Sequence, residues 1–85
     1  MTEYLLIHLT SITYANQAKY LLAKEKIYVK IQKTPASVSK TGCGFCLRVS
    51  PEDFENTIKI LLDNKFQIQG AYEINKNNEI KRVSY

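Results

Sequence analysis

Two cysteines, Cys43 and Cys46, are the residues whose types and spacing could support chemistry. A C-x-x-C pair serves redox chemistry in thioredoxin-like proteins, where the helix that follows lowers the pKa of the first thiol. Here the pair runs into a predicted strand, so the interpretation as a dithiol oxidoreductase loses its electrostatic support. A zinc site needs about four ligands, and His8 is the only histidine that could join the two thiols. We therefore expect no metal and no cofactor.

Cys43 is the stronger chemical candidate because it stands between Gly42 and Gly44. Glycines carry no side chain that would shield a thiol, and their backbone amides can turn toward a bound anion. Lys40 precedes the cysteine and Arg48 follows it, so two cations could favour the reactive thiolate. A small packing role is the commonest fate of a free cysteine, and it stays open for both cysteines of the chain.

The composition indicates one water-soluble globular domain over residues 1–85. Apolar residues make up 45% of the chain and charged residues 24%, which argues against a disordered or a fibrous protein. The longest apolar runs are a few residues long, whereas a helix that spans a bilayer needs roughly 20, so we expect no membrane partner. No secretory signal is visible at the N-terminus, and we expect a cytoplasmic protein.

Hydrophobic periodicity predicts the elements that must position these residues. Strands are predicted over 3–9, 27–32, 45–49, 66–74 and 79–83, and helices over 13–25 and from Pro51 to a left-handed stop at Asn64. The second helix carries Ser50 as its predicted N-cap, with Asp53 at the reciprocal capping position. The order is β-α-β-β-α-β, which predicts an α+β, ferredoxin-like fold: an antiparallel sheet, both helices on one face, and an extra C-terminal strand or hairpin arm.

The connection over residues 33–44 is rich in Gly, Pro, Ser and Thr and is longer than most connections in compact domains. Loops of this length are usually functional or disordered, which favours a chemical role for Cys43 at its end. The chain also resembles the family of selenium/sulfur (Se/S) carrier protein-like domains, on a series of short motifs: Thr34-Pro35, Ser37-Val38-Ser39, Cys43-Gly44, Leu47-Arg48-Val49, Pro51-Glu52-Asp53 and the stretch from Ile68 to Ile74.

This resemblance covers nearly the whole chain and implies a small bacterial domain that stands alone. Its Cys-Gly cysteine, here Cys43, would hold a sulfur or selenium atom as a persulfide-type adduct. The thiolate would take the atom from a donor protein and release it to an acceptor protein by thiol exchange, as a carrier rather than a turnover enzyme. Cys46 falls where the family has a small apolar residue, which implies packing. His8 is predicted to be a strand residue with a structural role.

Two other functions compete with this interpretation. RNA-recognition modules share the element order, and aromatic residues on their third strand stack on bases. The segment 42–45 begins a degraded version of that motif. Cys43 takes the position of the first aromatic residue, and Arg48, beyond the segment, takes the position of the last. The apolar run of the first strand also lacks its stacking aromatic, so we do not expect nucleic-acid binding despite the net charge of +4.

The remaining interpretation is a small interaction module that forms homo-oligomers. Domains of this size bury limited apolar area and often gain stability by pairing sheets or edges. We therefore expect a homo-oligomer, such as a dimer formed through the uncovered sheet face or the C-terminal arm.

Overall fold

The described part of the chain forms five strands and two α-helices, which confirms the α+β prediction. The structure is a computed structural model that describes residues 2–35 and 44–85. Most of the predicted loop therefore lies outside the described residues. The elements in chain order are β1 (Thr2–Leu9), α1 (Ile12–Lys24), β2 (Lys30–Lys33), β3 (Phe45–Val49), a 3₁₀ turn (Pro51–Asp53), α2 (Phe54–Asp63), β4 (Gly70–Asn75) and β5 (Ile80–Val83).

The sheet has the strand order β2-β3-β1-β4-β5, and every neighbouring pair is antiparallel. β1 lies at the centre, and β2 and β5 form the two edges. The register places His8 of β1 opposite Cys46 of β3 on one side and opposite Gly70 of β4 on the other. β4 and β5 form a hairpin whose turn is held by Asn75, since its Oδ1 atom accepts hydrogen bonds from two backbone amides of the turn.

The two faces of the sheet bury separate clusters because successive strand residues point to opposite sides. On the helix face, Leu5, Ile7 and Leu9 join apolar residues of both helices and of β3 in the larger core: Ala15, Ala18, Leu22, Leu47, Val49, Ile58 and Leu61. On the opposite face, which we call the outer face, a smaller buried cluster forms, with half-buried apolar side chains packed against it. The cluster is Leu6, Cys46 and Ile74, and its neighbours are Tyr4 and Ile80.

The start and end of the second helix differ from the prediction. Ser50 takes the N-cap position with Pro51 next to it, as predicted, but it caps a 3₁₀ turn that precedes the helix. Its side chain makes no cap hydrogen bond, and its backbone oxygen accepts from the Asp53 amide at 3.0 Å. Asn64 has a φ of −97°, and Lys65 takes the left-handed conformation instead, with a φ of 63°. The Asn64 side chain ends the helix by donating from Nδ2 to the Ile60 oxygen at 2.8 Å.

Two strands begin later than the apolar pattern predicts. β2 starts at Lys30, although Ile27 and Val29 before it are buried in the larger core. β4 starts at Gly70, although Phe66 packs on Tyr14 of α1 with ring centroids 4.7 Å apart. Each of these segments leaves the end of a helix and packs on the core before its strand begins, and the second makes one backbone hydrogen bond to β1, from the Gln69 amide to the His8 oxygen at 2.9 Å. The alternation of apolar residues therefore predicted correctly which side chains are buried, but it did not predict where the strands begin.

Candidate functional site

Cys46 is a buried packing residue on the outer face. Its side chain has no exposed surface and packs with Leu6 and Ile74. The Sγ atom donates a hydrogen bond to Oγ1 of Thr34 at 3.6 Å. Burial raises the pKa of the Cys46 thiol, and the hydrogen bond to Thr34 opposes this shift without cancelling it. The thiol therefore stays neutral at neutral pH and offers no nucleophile to a partner.

Gly44 immediately precedes β3 and is the residue after Cys43 along the chain. Its φ of +100° lies in a region that residues with side chains rarely adopt. A Cβ atom there would lie 2.5 Å from Nε2 of His8 and 2.9 Å from the backbone oxygen of Leu9. Backbone conformation and space both require glycine here, and its absent side chain lets the imidazole pack directly on the main chain.

His8 has a second glycine neighbour on its other side. It pairs with Gly70 across β1 and β4, and a Cβ atom on Gly70 would lie 2.9 Å from the hydroxyl of Tyr72. The Tyr72 ring thus lies back along its own strand over Gly70. As a result, a half-buried imidazole and a phenol lie at the end of the outer face that adjoins Gly44.

Three of the six predicted site residues fall outside the described part of the chain: Lys40, Gly42 and Cys43. Of the other three, Gly44 adjoins His8 and Cys46 is buried. Arg48 is exposed, and its guanidinium carbon lies 3.9 Å from the centroid of the Tyr4 ring. Arg48 lies four positions after Gly44 in the chain, and four steps of an extended strand span about 13 Å. The structure therefore places Arg48 at the end of β3 that is remote from Gly44.

Sequence reasoning missed the contact between His8 and Gly44. The signal that could have revealed it is the antiparallel pairing of β1 with β3, which places His8 beside the start of β3. Within residues 2–35 and 44–85, no three His, Cys, Asp or Glu side chains gather in a way that could hold a metal ion. No helix of the described segments has the length and apolar character needed to cross a bilayer.

The family assignment follows from comparison with known proteins. The family described as "Putative Se/S carrier protein-like" matches residues 4–73. The chain belongs to this family. The match runs from β1 into β4, so it includes His8, Gly44 and the segment between β2 and β3 that carries Cys43. No characterised protein and no solved structure matches the chain. The resemblance inferred from the sequence motifs is thus confirmed at the level of the family.

Proposed function

We propose that this Se/S carrier family protein holds a sulfur or selenium atom on Cys43 as a persulfide-type adduct and delivers it to a partner protein. The observation that carries the proposal is the family match over residues 4–73, since the family description names a Se/S carrier. The burial of Cys46 adds support. In a chain with two cysteines, it leaves Cys43 as the candidate carrier thiol.

The transfer needs one thiolate and no cofactor. The Cys43 thiolate attacks the terminal sulfur of a donor persulfide, a new S–S bond forms at Cys43, and the donor leaves as a thiolate when its own S–S bond breaks. An acceptor thiolate then attacks the terminal sulfur on Cys43 and releases the Cys43 thiolate. Each step exchanges one S–S bond for another, so no external oxidant or reductant is consumed.

His8 supports this chemistry from the described part of the chain. Its imidazole packs on Gly44, which is joined to Cys43 by one peptide bond. A neutral imidazole can accept the proton of a thiol, and the resulting imidazolium favours the thiolate by its charge. We assign His8 as a residue that promotes the thiolate of Cys43, in place of the purely structural role expected from the sequence.

The proposal extends to the fold family. Strands β2, β3, β1 and β4, together with the two helices, correspond to a ferredoxin-like split β-α-β-β-α-β unit, and β5 is the added C-terminal arm. The adjacent order of β3, β1 and β4 supports this assignment. In such a unit, the edge of the sheet and the uncovered face remain free for a donor or acceptor protein.

Thiol labelling and intact mass measurement test the proposed carrier. Near neutral pH, iodoacetamide should alkylate Cys43 about tenfold or more faster than Cys46, because burial and a raised pKa protect Cys46. Incubation with inorganic polysulfide should add the mass of one sulfur atom to the protein. The adduct should vanish in Cys43→Ser and persist in the matched variant Cys46→Ala. An adduct that persists in Cys43→Ser, or equal slow labelling of both cysteines, would disprove the carrier role.

A further inference from the structure

Exposed cations gather on the outer face of the sheet. Arg48 lies two residues from Cys46 on β3, and Lys30 lies directly opposite Arg48 on β2. Arg82 of β5 pairs with Tyr72 of β4, which in turn pairs with Leu6 in the outer cluster. Because strand residues alternate between faces, all three cations project from the outer face, and all three are exposed.

Carboxylates are fewer at this face. Among the described strand residues, Glu3 of β1 lies at the outer face, next to the register shift between Thr2 and Tyr4. On β4, Glu73 alternates to the helix face, where it lies opposite Leu5. Glu3 borders the outer face beside Tyr4 and lines a shallow depression with Lys30 and Arg48. The outer face therefore has an excess of positive charge along its strands.

The pairing of Lys30 with Arg48 concentrates positive charge at one part of this face, with Glu3 as the neighbouring carboxylate. Like charges at directly opposite positions of two strands destabilise a sheet. An anionic group that binds between the two side chains would remove this repulsion. Two tyrosines, Tyr4 and Tyr28, line the same depression, and Tyr28 is 79% exposed. Tyrosine and arginine are the residue types that most often contribute strongly to the binding energy of protein interfaces.

The centre of the outer face is apolar. Leu6 and Ile74 are buried there, and Tyr4 and Ile80 pack over them as half-buried side chains. An apolar centre with a charged border is the usual composition of a protein interface. His8 and Gly44 lie at one end of the same face. The cationic surface is thus continuous with the candidate site.

We propose that the outer face docks an acidic surface of a partner protein. Carboxylates of the partner meet the three cations, and its apolar side chains meet Tyr4 and Ile80. This inference rests on the proposed function, because a protein that exchanges an atom with Cys43 must approach the end of the face at Gly44. The inference adds how the partner is recognised: by the pairing of its carboxylates with the cations of the outer face.

Two other occupants fit this face less well. Single-stranded nucleic acid binds by stacking its bases on accessible aromatic rings. Here the Arg48 guanidinium already lies 3.9 Å from the Tyr4 ring centroid, and the centre of the face is largely aliphatic. A second copy in a two-fold dimer would present the same cations from both sides, and like charges across an interface oppose association.

An NMR titration of the full-length, isotope-labelled protein tests the docking surface. The probe is a short capped peptide that alternates Glu with Leu and Phe. The controls are the same peptide with Lys in place of Glu, and a short oligouridylate. The acidic peptide should shift amides of all five strands and leave the exposed surfaces of both helices unchanged. The lysine peptide should bind about tenfold more weakly or not at all.

Two neighbouring cations on β5 provide a matched pair of variants. Arg82 projects from the outer face and Lys81 from the helix face, and both are exposed. Arg82→Gln should weaken binding of the acidic peptide about threefold, and the double variant Lys30→Gln/Arg48→Gln should weaken it further. Lys81→Gln makes the same change in net charge and should leave the affinity unchanged.

Four results would overturn the docking surface: equal weakening by Lys81→Gln, amide shifts confined to the helices, tighter binding of the oligouridylate than of the acidic peptide, or a dimer that buries the outer face. The Cys43→Ser variant separates this inference from the proposed function, since it should bind the peptide normally. Retained peptide binding without sulfur loading of the native protein would reject the carrier alone. Normal sulfur loading without peptide binding would reject the docking surface alone.

Discussion

The imidazole of His8 packs against the main chain of Gly44 so closely that no side chain fits between them. A Cβ atom at Gly44 would lie 2.5 Å from His8 Nε2. His8 lies on β1 and Gly44 immediately precedes β3, and these two strands pair along their lengths. Their contact sets the point at which the chain enters β3, one residue after Cys43.

Replacing Gly44 by alanine should destabilise the protein by about 2–3 kcal/mol, because the positive φ and the steric clash both oppose a side chain. Urea unfolding measures the loss. In a His8→Ala background, the same substitution should cost about 1 kcal/mol less, since one of the two clashing groups is gone while the Leu9 oxygen remains. An identical cost in both backgrounds would show that the imidazole is not the obstacle.

Removal of the imidazole tests the proposed role of His8 toward Cys43. We expect His8→Ala to slow alkylation of Cys43 near neutral pH by about two- to fivefold, because the variant lacks the group that favours the thiolate. Mass spectrometry of iodoacetamide-treated protein gives the rate over a range of pH. Labelling of buried Cys46 in the same samples reports any general loosening of the fold. If the pH profiles of Cys43 coincide in native and variant protein, His8 has a structural role only.

The buried thiol predicts a dependence of stability on pH. Burial raises the pKa of Cys46 in the folded protein, so the unfolded chain loses this proton first as the pH rises. The stabilisation is complete below the pKa of the unfolded thiol, about 8.5, and is lost as the pH rises through the higher folded value. Urea unfolding of the native protein from neutral to alkaline pH should show this decline.

Cys46→Ala is the control for that decline. The variant starts from a lower stability because it leaves a small cavity, but it should lose less stability than the native protein between neutral and alkaline pH. Other groups that titrate at alkaline pH contribute equally to both proteins. Equal losses in the two proteins would mean that the Cys46 thiol does not titrate differently in the folded and unfolded states.

A buried hydroxyl on α2 offers a stabilising substitution. Thr57 is fully buried, and its Oγ1 atom has no hydrogen-bond partner among the described residues. Thr57→Val keeps the shape and removes the unpaired group, so we expect a gain of about 1 kcal/mol in the free energy of unfolding. Thr34→Val is the contrasting variant, because it removes the acceptor of the Cys46 Sγ hydrogen bond and should bring no gain. A destabilised Thr57→Val would contradict the prediction.

The amino-acid sequence by itself determined the α+β class, the number and type of the elements, and the family. Apolar residues that recur every two residues indicate the buried side of a strand, and those that recur every three to four indicate the buried side of a helix. Both patterns can be read from a short stretch of sequence. The same pattern placed two strand starts too early, at residues 27 and 66. Apolar residues that leave a helix can pack on the core without pairing, and no local signal separates the two cases.

Only the tertiary structure decided how the candidate site and the docking surface are assembled. Cys46 is buried because β3 lies between β1 and β2 in the sheet. Its side chain packs on the outer face with Leu6 and Ile74. Arg48 lies near the end of β3, whereas Gly44 immediately precedes the start of that strand. The contact of His8 with Gly44 joins residues far apart along the chain. Such contacts depend on the register between distant strands, and a shift of one residue would exchange the two faces of the sheet.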